Sequence, residues 1–374
     1  MNRRDVLAAM GAATALAAIS PRAAFADDDS QVSAAARALY KRSMVFDANM
    51  FPPLNGEPPF PQSQLDMMRN AGVTAMKSSL GGFNNSFEDT VAEIAGYQQV
   101  IEMYPDYMMQ IRTHADFARA KQANKTGVLF SFETVTPLDG KPERVELFRG
   151  LGVRVMQITY NVATPFGMGC LGDPNSGLTD LGRKAIEAMN KQGVTLDLSH
   201  SNVKTSLEAL KATTKTAVIT HAGCAAVHQH PRNKPDNLLK AVADQGGVVG
   251  IYDLCYLTAS PKQPTLDDYM AHMTHALKVC GEDHVGIGSD SSMAPWDTSP
   301  EAMAAFNKDE ESRHKAGVAA PEEDRPLYVI GLNTPMRSEI IADQLLKRGY
   351  SERVAEKVLG LNFTNALKAG WGEA

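Results

Sequence analysis

The sequence predicts an α/β fold, a single (β/α)8 TIM barrel with C-terminal helices, and three observations carry that prediction. Eight short apolar runs recur along the chain, and amphipathic stretches of helical period separate several of them. The length of 374 residues is ordinary for one large barrel with insertions. Hydrophobic content of 44% and charged content of 21% are globular values, and two Trp against 18 Met make the expected interior aliphatic.

The first 26 residues stand apart from this pattern. Arg3 and Arg4 precede Asp5 and the run VLAAMGAATALAAIS, and Ala24 and Ala26 give a small-x-small cleavage pattern ahead of an acidic DDD. This is similar to a twin-arginine export signal, so residues 1–26 are assigned to a signal peptide and 27–374 to one barrel domain. Such export would deliver an already folded protein to the periplasm. The apolar run falls short of the roughly 20 residues a spanning helix needs, and no membrane span is expected in the mature chain. Removing Arg3, Arg4, Arg22 and Asp5 takes the formal charge from −6 to −8, which argues against a nucleic-acid partner.

The expected strands lie at 43–49 (SMVFDAN), 73–79 (VTAMKSS), 127–133 (GVLFSFE), 154–160 (RVMQITY), 194–200 (VTLDLSH), 217–222, 248–254 (VVGIYDL) and 284–290 (HVGIGSD). Helical period appears at 180–193, 203–214 and 266–281. Alternation of the two implies a parallel sheet, and eight units close most naturally into a barrel. A further extended run, YMMQIRT at 107–113, leads into HADFARAKQAN and has no place among the eight. Residues 291–335 are rich in Ser, Pro, Asp and Glu without a clear strand, and a loop of that length after the last strand should lie over the barrel mouth. Helices near 335–348 and 351–369 should close the far side. The four cysteines show no CxxC or zinc-finger spacing; Cys224 and Cys255 are the pair an oxidising compartment could bridge, with free thiols the equal alternative.

Barrel enzymes place their chemistry where strands end. Four of the expected strands end in side chains that bind metals or move protons: Glu133, His200, His221 and Asp290. Two histidines and a carboxylate, with a second carboxylate free, form the inventory of a hydrolytic zinc site. His272 and His275 share a helix, and His284 starts a strand at the wrong end, so packing or capping roles are assigned to them.

Glu133, LGVRVMQITYN at 151–161, GLTDLGRKAIEAMNKQGVTLDLSH at 177–200, ITHAG followed by PRNKPDNLL, DHVGIGSD at 283–290 and LLKRGYSERVAEKVLGLNFTNAL at 345–367 together resemble the membrane (renal-type) dipeptidase family of the amidohydrolase superfamily. That resemblance implies a two-zinc barrel cleaving dipeptides, with Glu133 bridging the metals and His200 and His221 completing the second site. It makes Arg232 the arginine that holds the substrate or its tetrahedral intermediate, and Asp290 the acid at the substrate's amino end, able to move a proton.

The chain departs from the family where the family's first strand ends in Asp-Gly-His-Asn-Asp. Here the run is Asp47, Ala48, Asn49, Met50, Phe51, so both ligands of the first zinc are replaced, Asn49 and Phe51 standing in their places. Tyr160 stands where the family has an oxyanion-stabilising histidine, Ser292 replaces a second acid and Met293 a glycine. The expected protein is therefore a one-metal hydrolase, with zinc or another divalent ion on Glu133, His200 and His221. Its water is polarised by the metal and deprotonated by Asp290, with Arg232 and Tyr160 binding substrate and stabilising the intermediate. The expected substrate is a dipeptide or related small amide; the sequence is compatible with a homodimer. The alternative is a periplasmic binding or maturation protein that kept the barrel and lost peptidase activity.

Overall fold

The computed structural model describes residues 32–372; the expected export signal lies outside the described residues. The strands are β1 (Phe46–Asp47), β2 (Met50–Phe51), β3 (Ala75–Leu80), β4 (Met108–Gln110), β5 (Thr126–Phe132), β6 (Val153–Gln157), β7 (Thr195–Asp197), β8 (Ile219–Ala222), β9 (Val249–Ile251), β10 (Val285–Ile287) and β11 (Ser291–Ser292). Eight of them follow each other side by side in the order β7, β6, β5, β3, β1, β10, β9, β8, and a parallel bridge from Asp197 to Val218 closes the ring. Every pairing in the ring is parallel. These are the eight expected strands, in shortened form, and together they make the (β/α)8 barrel.

The run at 107–113 supplies β4, which pairs with the first residues of β5, Met108 with Thr126 through Gln110 with Val128. β6 takes over along Phe130 to Phe132, past a register shift, so β4 sits beside the ring and not in it. The expected helices appear as Asp180–Gln192, Val203–Ala212 and Leu266–Cys280. Thr179, Asn202 and Thr265 cap them, each accepting a backbone N–H of the first turn.

Alternation along a strand sorts its side chains between two environments. In VTLDLSH, Val194, Leu196 and Leu198 join the large apolar core between strands and helices. Asp197 and Ser199 turn inward instead and bond Thr220 of the adjoining strand β8. The barrel's lower interior is apolar, with Phe46, Ala75, Leu129, Val155 and Val218 in one buried cluster.

The C-terminal helix Asn362–Trp371 closes that lower end, as expected. Phe363 meets Phe46 at 6.0 Å between ring centroids, Trp371 stacks on Phe117 at 6.2 Å, and Trp371 Nε1 donates to Arg154 O at the start of β6. Phe363→Ala should cost about 3–5 kcal/mol, the usual price of a large buried ring. A urea midpoint lowered at unchanged slope would show it; an unchanged midpoint would mean that the helix is a separable appendage.

The segment 291–335 differs from the strandless loop expected. It contains β11, paired with β2, and a helix, Pro300–Lys315, capped by Ser299. Only Ala302, Phe306 and Glu310 of that helix are buried, a stripe one residue wide, which is why composition hid its period. The segment does lie over the mouth, where Asn161 Nδ2 donates to Val318 O at 2.9 Å, His230 Nε2 bonds Pro321 O at 2.7 Å and Tyr256 Oη donates to Glu323 at 2.6 Å. The same Glu323 pairs with Arg313 of the helix at 2.7 Å.

All four cysteines are free thiols, so the Cys224–Cys255 bridge does not form. Cys224 Sγ points to His272 O and Cys255 Sγ to Glu322 O, each seated in its own buried niche. His272, His275 and His284 play the packing and capping roles expected: His272 accepts from Cys224 N and reaches Leu257 O, His275 pairs with Asp236, and His284 bonds Gly247 O. Among the described residues, no helix is long and apolar enough to cross a membrane.

Candidate metal centre

Glu133, His200 and His221 each offer one ligand atom, and the three atoms lie within 4.8 Å of one another. The Nε2 atoms of the two imidazoles are 2.9 Å apart, close to the 3–4 Å that two Zn–N bonds at a tetrahedral angle would set. His221 lies within β8, Glu133 directly follows β5, and His200 and Asp290 sit three residues beyond β7 and β10. The last two are thus carried by loops and not by the strands proper. Asp290 adopts the left-handed conformation, φ 59°, which Asp tolerates better than most residues, and this turns the chain from β10 into β11.

The second nitrogen of each imidazole fixes which one faces the centre. His200 Nδ1 lies 2.7 Å from Asn161 Oδ1, an acceptor, so Nδ1 carries the proton and Nε2 keeps its lone pair. His221 Nδ1 lies 2.9 Å from Thr220 Oγ1, and that hydroxyl donates to Asp197 Oδ2 at 2.5 Å, leaving its oxygen to accept from His221. Asp197 also receives Ser199 N, Ser199 Oγ and Thr220 N, so the carboxylate is held rigidly. Burial, followed by the charge of Arg232, pushes both histidines well below the usual imidazole range. Two neutral imidazoles and a carboxylate, with their outer nitrogens already bonded, form a donor set suited to a divalent metal. Gly250 and Gly288 make room here, since a β-carbon at either would collide with the Thr220 carbonyl.

The Asn49 amide lies among the carboxylates of the centre. Its Nδ2 donates to Asp290 Oδ1 at 2.5 Å and to Glu133 Oε1 at 3.4 Å, and its Oδ1 accepts from Ser79 Oγ at 3.1 Å. The amide thus turns its hydrogens, not a lone pair, toward the carboxylates. Behind it, Lys77 is fully buried, its Nζ bonded to Ser79 and Ser131 hydroxyls at 3.1 Å. Burial lowers its pKa, while Asp197, Glu133, Asp290 and Asp47 raise it. Phe51 lies in β2 opposite Ser292 in β11, so two positions that the sequence marks as departures are neighbours in space. Met293, a third, is fully buried and donates its N–H to Phe51 O.

The remaining candidates converge on the same centre. Asp290 Oδ2 is 3.9 Å from His221 Nε2 and 3.9 Å from Arg232 Nη2. Its pKa is pushed up to about 7, by burial first and by Glu133 second, against the pull of Arg232, Lys77 and Asn49. Arg232 is 1% exposed; Nη1 donates to Ser199 O at 2.7 Å, and Nη2 has no hydrogen-bond partner. Tyr160 stacks on His200 at 4.4 Å between centroids, with Phe83 stacked on its other side at 5.8 Å. Burial raises its pKa, and the Arg313 guanidinium acts on it from the lid helix.

Sequence reasoning missed Asn161, Thr220 and Asp197, the residues that orient the imidazoles, and Lys77 beneath them. Asp197 had a visible signal, an acid at an inward position of an apolar strand. Asn161 had none beyond following Tyr160.

A family description, Membrane dipeptidase (Peptidase family M19), matches residues 34–305. Dipeptidase tcpJ of Claviceps purpurea is 24% identical over 286 residues, covering 76% of this chain and 60% of that protein. Dipeptidase verJ of Clonostachys rogersoniana is 26% identical over 284 residues, covering 75% of this chain and 65% of that protein. The chain thus spans under two thirds of the length of these two relatives. The crystal structure of an amidohydrolase from Pseudomonas aeruginosa superposes with a TM-score of 0.80 at 29% identity, covering 90% of this chain and 99% of that one.

Proposed function

This chain belongs to the membrane dipeptidase family, and from that membership we propose that it is a metal-dependent hydrolase cleaving a dipeptide or related small amide at the barrel mouth. The observation that carries the reading is the meeting of two neutral imidazole Nε2 atoms and Glu133 beside a buried guanidinium with one unpaired nitrogen. Glu133, His200 and His221 would hold the metal, zinc being the natural match for this donor set. When bound, such an ion polarises a carbonyl and lowers the pKa of water.

The chain's own groups supply the rest. Arg232 Nη2, unpaired and buried, is free to donate to a substrate carboxylate or to the oxygen that gains charge as the amide carbon becomes tetrahedral. Asp290 stands where it can hold an amino group, take the proton of the attacking water and pass it to the leaving nitrogen as the C–N bond breaks. The Tyr160 hydroxyl, held protonated by burial, is a second donor for that oxygen.

The arrangement around Asn49 favours one tightly bound ion per chain, since its amide hydrogens occupy the space between Glu133 and Asp290. Elemental analysis of protein purified without a tag should therefore give one metal per chain, changed little by Asn49→Ala. The double change Asn49→His with Phe51→Asp should add capacity for a second ion. Two tightly held ions in the unaltered protein would refute the one-metal reading. Hydrolysis of dipeptides lost to a chelator and restored by zinc would support the enzyme. Bound metal without turnover of any peptide, amide or lactone would favour the binding or maturation protein instead.

A further inference from the structure

Beside Asp290, which lines it, the barrel mouth opens into a cavity of about 110 Å³ between β2, β11 and the segment that covers them. Phe51, Trp296 and Leu332 supply apolar wall, and at its edge lies an ion pair between Asp253 and Arg337, 3.3 Å apart and almost wholly buried. One buried donor on a lining residue, Trp296 Nε1, has no hydrogen-bond partner, whereas Arg337 Nη1 is already engaged by Asp253 Oδ2. A buried donor left unpaired is costly, so an occupant bringing an acceptor is favoured over one without. The lining includes three carboxylates, Asp253, Asp290 and Asp297, against the single guanidinium of Arg337, and this charge disfavours an acidic occupant.

We propose that this cavity receives the side chain of the amino-terminal residue of the substrate and selects a large aromatic one, with a further gain for an acceptor at its tip, as in tyrosine. The inference rests on the hydrolase reading in one respect, the placing of the substrate's amino group at Asp290. The cavity adjoins that carboxylate, so the side chain on the same carbon as the amino group is the one within reach of it. Phe51 is then not merely a lost ligand: its ring builds the wall that contacts the substrate, and Ser292, its partner across β11, leaves room that a longer side chain would fill. Volume and apolar lining match one side chain, not a second residue.

The test separates binding from turnover. Glycinamide, phenylalaninamide, tyrosinamide and glutamic acid α-amide are titrated calorimetrically into the protein as purified, and Gly-Ala, Phe-Ala, Tyr-Ala and Glu-Ala are assayed for kcat/KM. Phenylalaninamide should bind about tenfold or more tighter than glycinamide, the range a hydrophobic pocket gives, with the glutamic acid amide weaker than both aromatic ligands. Ala302→Phe, which fills the cavity from the helix Pro300–Lys315, should abolish the preference for phenylalanine over glycine. Trp296→Phe keeps the ring surface and removes the donor, so it should erase the advantage of tyrosine over phenylalanine while preserving that of phenylalanine over glycine. Equal binding of glycinamide and phenylalaninamide in the unaltered protein overturns the proposal, as does a preference that survives Ala302→Phe in protein of unchanged melting temperature. Should Ala302→Phe fail to fold, a tyrosine advantage surviving Trp296→Phe overturns the acceptor part, and the unaltered protein's own preference decides the rest. Preference in binding with no dipeptide turned over sinks the hydrolase reading and leaves the pocket; turnover without preference does the reverse.

Discussion

His221→Ala should give a folded protein that retains no metal through dialysis and hydrolyses its substrate about a thousandfold more slowly, or worse, the equivalent of several kcal/mol of lost stabilisation. His221 is the residue to remove because it carries the fewest other duties. Its imidazole is fully buried and bonded outward only to Thr220. Thr220 keeps its bonds to Asp197 when the ring is deleted, and Asp197 keeps Ser199. The network joining β7 and β8 therefore survives, while Glu133 and His200 alone are too few to hold zinc firmly at neutral pH. Elemental analysis beside circular dichroism checks this result: full metal content in the variant would place the ion elsewhere, and lost helical signal would show that His221 is a structural residue first.

Arg232→Lys should lower kcat/KM by about a hundredfold or more, in the range found for deleting one donor to a developing oxyanion, with metal content unchanged. The guanidinium performs two tasks from one plane. Nη1 is anchored on Ser199 O, and that anchor holds Nη2 toward Asp290 and the centre. An ammonium has no second planar nitrogen to offer, so lysine can keep the anchor or reach the substrate but not both. Burial sharpens the difference, because water cannot bridge the gap left behind. A variant with unaltered kinetics would show that Arg232 only fastens its loop to β7.

The barrel and its centre were legible in the sequence for one physical reason. Strands buried between helices write their outward parity as Val, Leu and Ile, so a polar residue that ends such a run is conspicuous; Glu133, His200, His221 and Asp290 were visible in this way. What was not legible depends on pairs of residues far apart in the chain. Nothing in FDANMF states that Asn49 will point its amide hydrogens at two carboxylates, 84 and 241 residues away. Nor does the sequence say that Trp296 will leave its donor unpaired beside an Asp253–Arg337 ion pair at one cavity. The helix Pro300–Lys315 was hidden differently, because its buried stripe is so narrow that its many acidic and basic residues read as loop.

Asn161 joins two parts of the molecule through a single amide: its Oδ1 receives the His200 imidazole and its Nδ2 holds the lid at Val318. One planar group cannot be pulled at one end and stay still at the other. The bond to the covering segment at Val318 is therefore coupled to the hydrogen bond at His200 Nδ1, and a change in one would register in the ring-nitrogen resonance of that imidazole. Isotope labelling of histidine alone would let that coupling be read in solution with no probe attached to the segment.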